Sequence, residues 1–344
     1  MAARSPFARI LLILLMTAMS ESSWAGAEFY FFTDQGLVDS ISQHLPRVDQ
    51  QVGPAFRTNQ VLDIGFDPDR NVEFDFRKKA IFVGSLNLPS LTHEYGHFLL
   101  DQYLLRHSLD WRYVWLRLKH FKVDLATIST QLKQKQADIE DALADFGKEP
   151  EKNRDILIRA RRTLDQTLAD LAELSVVTPM DEEIAPHFGS GNHFFSAIAP
   201  YHELFSDFLG ALVMGSWSIM EETSRKLRIE KGDRLQVPEG GTEEEIFKNR
   251  TFHKNLKFDN YSFQEWQSEN DYTQFPIVRS YLRSLIEERQ IPHSLVLEVL
   301  AGAIGDEFRE IAQGRMDVEI IGLKEKNQSL IDRIERRLGQ SAKD

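Results

Sequence analysis

The stretch "LTHEYGHFLLD", residues 91–101, holds His93, Glu94 and His97 in the pattern H-E-x-x-H. On a helix, residues four apart share a face, so His93 and His97 can offer two ring nitrogens to one ion. Glu94 follows His93 by about 100° around the axis and falls about 60° short of His97. It points to the same side without being needed as a ligand, which suits a general base acting on water. Three fixed positions arise by chance in roughly 4% of chains of this composition, so the pattern needs a third ligand and a suitable context.

The context is a strand–turn–strand unit that leads into the helix. "NVEFDFR", 71–77, alternates Val72, Phe74 and Phe76 with polar residues, the period of a half-buried strand. "AIFVG", 80–84, is a short apolar run ended by glycine, and "FDPDR", 66–70, is a turn. Pro89 and Ser90 introduce the helix, with Ser90 the expected N-cap. Gly96 inside the helix costs about 1 kcal/mol relative to Ala. Either another backbone approaches closely there, or a small residue is merely tolerated.

The third ligand is found downstream in "HELFSD", 202–207. Glu203 and Asp207 lie four apart and share a helical face. Their neighbours Leu204, Phe205, Phe208 and Leu209 are apolar, so the helix is mostly buried and its two acids need a partner. Glu203 completes a His-His-Glu set, and Asp207 is placed to accept a hydrogen bond from the far ring nitrogen of a ligand histidine. His202 points about 100° away from Glu203 and is the weaker ligand candidate. The chain has no cysteine, so a metal must be held by His, Glu and Asp. Zinc accepts such a set.

"HEYGH" with the later "ELFSD" resembles the gluzincin branch of zinc metallopeptidases, the thermolysin-like arrangement. The resemblance covers about 71–101 and 201–213. It implies that His93, His97 and Glu203 bind Zn2+, that Glu94 is the general base and proton shuttle, and that Asp207 orients His93. The third-histidine pattern of another zincin class is absent, because Leu100 and Tyr103 stand where its Gly and His would be. There is no G-x-M-E-N sequence, so the aminopeptidase form of the branch is not indicated. An oxyanion donor is still required, and His253, Tyr261, Tyr272 and Arg279 are the candidates downstream of Glu203. The separation of about 100 residues between His97 and Glu203 is wide for this branch.

A helical insertion accounts for that width. Phe121, Leu125, Ile128, Leu132, Lys135, Ile139, Ala142 and Phe146 follow alternating spacings of four and three. "GKEPEKN", 147–153, interrupts them, and Leu157, Arg161, Leu164, Leu168 and Leu171 resume the pattern. Residues 111–176 therefore read as an antiparallel coiled-coil hairpin whose charges form its solvated face. The expected fold is α+β and mostly α: a zincin-like small sheet with active-site helices over 28–110, the hairpin, and a helical part over 177–315 that brings the third ligand. An amphipathic helix over 316–344 follows. Within the helical part, 186–200 reads as a loop with a short strand or helix and 201–220 as a helix.

Residues 1–27 read as a cleaved secretory leader. Arg4 and Arg9 precede the ten-residue apolar run "ILLILLMTAM", and "AGA" at 25–27 offers small residues for cleavage. Ten residues fall short of the ~20 that span a bilayer, so no transmembrane anchor is expected after cleavage and the protein is periplasmic or secreted. A net charge of -12 argues against nucleic-acid binding, which needs clustered Lys and Arg. The reading favoured by the intact Glu94 is an exported metalloendopeptidase acting on a peptide or protein. The alternative is a non-catalytic zincin-fold envelope protein that binds a partner through its hairpin. A peptide substrate is expected to add as a strand along "KAIFVGS", 79–85.

Overall fold

A computed structural model describes residues 27–107, 193–231, 237–312 and 321–341, short of 31, 33, 59–60, 69–70 and 76–79. Thr130, Lys133, Gln134, Gln136, Ala137 and Glu140 are described besides, all helical. The leader and nearly all of the expected hairpin lie outside the described residues. The chain divides into two compact units. One is Met1–Leu104 with Ala199–Asp306 and Ile321–Asp344; the other is Leu105–Ile198 with Glu307–Ile320. The candidate site lies within the first.

The described residues are mostly helical, with one small mixed sheet. Strand β1 (Ala27–Tyr30) is followed by helix α1 (Gln35–Val52), which Asp34 caps by accepting from the Gly36 and Leu37 amides. Then come β2 (Leu62–Phe66), β3 (Val72–Asp75) and β4 (Ala80–Val83). The sheet order is β1-β2-β4-β3, with β1, β2 and β4 parallel and β3 antiparallel to β4. In β3 the expected alternation is present: Val72 and Phe74 are buried and Glu73 is exposed.

The expectation of an added peptide strand along 79–85 is overturned by this topology. β4 is paired on both sides, Ile81 opposing Ile64 of β2 and Phe74 of β3. Its apolar run marks a central strand, and the strand at that end of the sheet is β3.

Helix α2 (Leu88–Arg106) carries the H-E-x-x-H pattern. Its cap is Asn87 rather than Ser90: the Asn87 side chain accepts from the Ser90 amide at 3.1 Å. Ser90 is the third residue of the helix, so its N–H is one of the orphan donors that a cap must satisfy. From Ser90 to Leu104 every residue is buried except Glu94. Such a helix is packed on all sides. Phe74 of β3 meets Phe98 edge-on at 6.2 Å, and Tyr95 stacks on Phe98 at 5.7 Å. On the α1 side, Tyr95 donates to Asp49 at 2.7 Å and His44 bonds Thr92 at 2.7 Å.

Helix α3 (His193–Met214) begins inside the stretch read as a loop and continues through Pro200. It ends earlier than 220. Gly215 adopts φ +66, and the Ser216 amide turns back to the Ala211 carbonyl. A left-handed residue there closes the last turn and stops the helix. From Pro200 to Leu212 every residue is buried except Glu203. The remaining helices are α4 (Ile219–Lys231), α5 (Glu243–Asn249), α6 (Pro276–Glu287), α7 (His293–Ala312) and α8 (Leu323–Ser341). In α8, Leu330, Ile334 and Leu338 are buried as their spacing predicts. No helix among the described residues is long and apolar enough to cross a membrane.

Candidate metal centre

α2 and α3 meet where their functional residues stand. A Cβ added at Gly96 would lie 2.8 Å from Ser206 Cα and 2.9 Å from Ser206 Oγ. Gly96 sits between His93 and His97, and Ser206 between Glu203 and Asp207. The glycine thus answers to the close backbone approach, and that approach joins the two halves of the site.

His93, His97 and Glu203 come together there, with one potential ligand atom from each lying within 4.8 Å of the others. His93 Nε2 is 3.1 Å from His97 Nε2 and 3.1 Å from Glu203 Oε2. His97 Nε2 is 3.5 Å from Glu203 Oε1. The imidazole rings stand at 90° with centroids 4.7 Å apart. Two nitrogens bound at ~2.0–2.1 Å to a tetrahedral ion lie roughly 3.3 Å apart, so this spacing fits one. Glu203 Oε2 is buried, and the group it faces at 3.1 Å, His93 Nε2, is itself a candidate ligand atom without good hydrogen-bond geometry to it. Orphaned buried carboxylate oxygens are costly, and a cation would satisfy this one. The three residues could hold a metal ion. His202 is buried with its ring 5.8 Å from that of His97 and is outside this set.

Glu94 stands next to the set. Its Oε2 is 4.0 Å from His97 Nε2 and accepts the Phe74 amide of β3 at 2.9 Å. Phe74 opposes Ile81 in a pair that exchanges no backbone bonds, so its N–H points away from β4 and anchors the Glu94 carboxylate from outside the carboxylate's own helix. The two carboxylates, Glu94 and Glu203, are where these otherwise buried segments reach solvent, at 17% and 15% side-chain exposure.

Asp207 is fully buried behind His93, its Oδ1 2.9 Å from His93 Nδ1. Two guanidinium groups hold it: Arg250 Nη2 at 2.6 Å from Oδ1 and Arg279 Nη2 at 2.8 Å from Oδ2. Burial alone would raise the Asp207 carboxyl, but Arg250 and Arg279 hold it far below the carboxylate range. Burial opposes charge on His93 too, yet Glu203 and Asp207 push it up to about 10. His97 goes the other way, down to about 4, because burial outweighs the attraction of Glu203. His97 and His93 hold Glu203 below its ordinary value against burial. Glu94 is pushed up to about 7, chiefly by burial.

The four oxyanion candidates separate clearly. Tyr272 adjoins the site: the Glu203 carboxylate, ahead of burial, and then Glu94 raise its phenol. Arg279 is 1% exposed and committed to Asp207, so it braces the site from behind. Tyr261 bonds Asn249 and Gln267. His253 turns its ring to the Lys248 carbonyl near the surface. Neither is brought to the ligands.

Three contributors were not legible in the sequence. Arg250 follows a seven-residue helix with no pattern around it. The Phe74 amide is a backbone group. Asp271 is pushed up to about 7 by burial and then by Glu203, with Lys326 opposing, and its only sequence signal was to be next to Tyr272. Compared with protein-family models, curated proteins and solved structures, the chain matches none.

Proposed function

We propose that the protein is an exported zinc-dependent metallopeptidase. The carrying observation is Glu94: a half-buried carboxylate anchored beside the His93, His97 and Glu203 set, not a member of it, and reaching solvent. A metal that only stabilised a fold would need no such neighbour. The leader pattern of residues 1–27 supports export.

His93, His97 and Glu203 would hold the ion. Zinc, when bound, lowers the pKa of water and polarises the scissile carbonyl. Glu94 takes a proton from the attacking water and delivers it to the leaving amine. Asp207 holds the proton of His93 on Nδ1 and so leaves Nε2 free to bind. Tyr272 donates from its phenol to the oxyanion. Arg250 and Arg279 keep Asp207 ionised through the cycle.

Glu94→Gln tests the reading. The variant should retain one zinc per chain and lose peptide hydrolysis by about 10²-fold or more, the scale of a general base. If Glu94→Gln hydrolysed peptides like the parent, or lost zinc as fully as His97→Ala, the role given to Glu94 would be wrong.

A further inference from the structure

Two arginines hold Asp207, but only one of them also touches Tyr272. The Arg250 guanidinium carbon lies 4.1 Å from the centroid of the Tyr272 ring, well inside the range for a cation over an aromatic face. Its edge is used at the same time: Nη2 and Nε reach the two oxygens of Asp207 at 2.6 and 3.3 Å, and Nη1 bonds Ser224 Oγ at 3.0 Å. All three nitrogens are engaged, and the residue is 6% exposed. The Arg279 guanidinium lies instead over Phe252, at 5.1 Å.

The turn that carries Tyr272 is fixed at its backbone. Asn270 Oδ1 accepts the Tyr272 amide at 3.0 Å, and the Thr273 hydroxyl bonds the Gln267 and Asn270 carbonyls at 2.8 and 2.9 Å. These bonds set where the Tyr272 Cα is. They leave the ring to be placed by what lies against its face, and that is Arg250.

We propose that Arg250 is a positioning residue for two groups at once: through Asp207 it orients His93, and through its flat face it aims the Tyr272 phenol at the site. The inference rests on the proposed peptidase reading for its consequence in turnover, but not for the Arg250–Tyr272 contact itself. A lysine keeps the charge beside Asp207 yet has no plane to lay on the ring, so Arg250→Lys separates the two arms.

The test uses the full chain as wild type, Arg250→Lys, Tyr272→Phe and the double variant. In zinc-loaded protein, Arg250→Lys should lower kcat about tenfold with KM within about threefold, as expected for an interaction made in the transition state. The double variant should be no worse than Tyr272→Phe within about twofold, because both changes remove one phenol's alignment. Zinc affinity of Arg250→Lys, measured by chelator competition, should stay within about tenfold, since Arg279 still holds Asp207. Multiplicative losses in the double variant, or unchanged kcat in Arg250→Lys, would overturn the proposal. A second readout needs neither metal nor turnover. With [13C]tyrosine in metal-free protein, the Tyr272 resonance, assigned by its loss in Tyr272→Phe, should shift or broaden in Arg250→Lys. A resonance that did not move would refute the contact. Were the wild type to bind no zinc and cleave nothing, the peptidase reading would fail while this spectrum still decided the positioning role. If Arg250→Lys does not fold, Ser224→Ala, which frees Nη1 and removes besides only the hydroxyl's bond to the Met220 carbonyl one turn back on its own helix, should move the same resonance in the same direction.

Discussion

Replacing Gly96 by alanine should separate metal affinity from fold stability. The added Cβ would stand 2.8 Å from Ser206 Cα and 3.1 Å from Ser206 Cβ, whereas carbon atoms rest at about 3.5–4.0 Å. Both obstacles are on the α3 backbone or next to it, so no side chain can swing away. α2 and α3 must part by roughly 0.7 Å at this point. Overpacking of this kind costs about 1–3 kcal/mol, and alanine gives about 1 kcal/mol back through helix propensity. The metal-free variant should thus be destabilised by only about 0–2 kcal/mol.

The site is less forgiving. His93 and His97 move with α2 and Glu203 with α3, and a metal tolerates ligand displacements of about 0.2 Å. Zinc affinity should fall about 10–100-fold, the loss typical when support around a ligand is disturbed. The assay is competition with a chromophoric chelator, with thermal melts in chelator and in zinc. Gly210→Ala is the control on the same helix: its Cβ would meet Met220 Sδ at 3.1 Å, the flexible part of a long side chain. Wild-type zinc affinity in Gly96→Ala would refute the claim that this crossing sets the ligand geometry. So would equal losses in the two variants.

Three further outcomes follow from the geometry. Because His93 is pushed up to about 10 in the metal-free protein, it is protonated at pH 7, and zinc uptake there should release about one proton; calorimetry in buffers of different ionisation enthalpy reads this, and zero release would contradict it. The Asp49 carboxyl is pushed up to about 6 by burial, with the Tyr95 hydroxyl opposing. Its favourable share of stability is therefore complete below pH ~3.9 and lost as pH rises through about 6, so Asp49→Asn should stabilise by about 1–3 kcal/mol at pH 7 and by nothing at pH 4; equal effects at both pH values would exclude linkage through Asp49. Val83→Pro places proline in a strand paired on both sides and should reduce stability and zinc binding together, whereas retained melting temperature and zinc would show that β4 is not needed in its central place.

The sequence made some layers of this site legible and hid others for physical reasons. Residues that act on one helix are readable, because helical period fixes which of them share a face: His93 with His97, and Glu203 with Asp207. Burial of Asp207 was readable too, from Leu204, Phe205, Phe208 and Leu209, whereas Glu203 is the residue of that stretch that reaches solvent. Gly96 left a close approach and a tolerated small residue equally open, since nothing local names Ser206. β4 misled because an apolar run reads alike in an edge strand and a central one; which neighbours flank it is settled by the whole sheet. Arg250 left no trace. Its three bonding nitrogens meet Asp207 and Ser224 from other helices, and a lone arginine after a short helix reads as a surface residue.

Each helix contributes an incomplete set, and their joining depends on groups far along the chain. The base of α6 is one such group. Phe275 precedes α6 and offers no side-chain cap. Asn327 of α8 supplies it from outside, accepting the Val278 amide at 3.3 Å and donating to the Gln274 carbonyl at 2.7 Å. One residue beyond Val278 is Arg279, which holds Asp207. Asn327 is itself fully buried, so Asn327→Ala leaves the Gln274 and Val278 groups unsatisfied and should cost about 1–3 kcal/mol. The loss passes along α6 to Arg279 and from there to Asp207 and His93. Zinc affinity should therefore fall with stability in Asn327→Ala, although no atom of Asn327 bonds a residue of the ligand set. A variant that melted several degrees lower yet bound zinc like the parent would show that the end of α6 is braced independently of α8, and that the centre needs only α2, α3 and their glycine crossing.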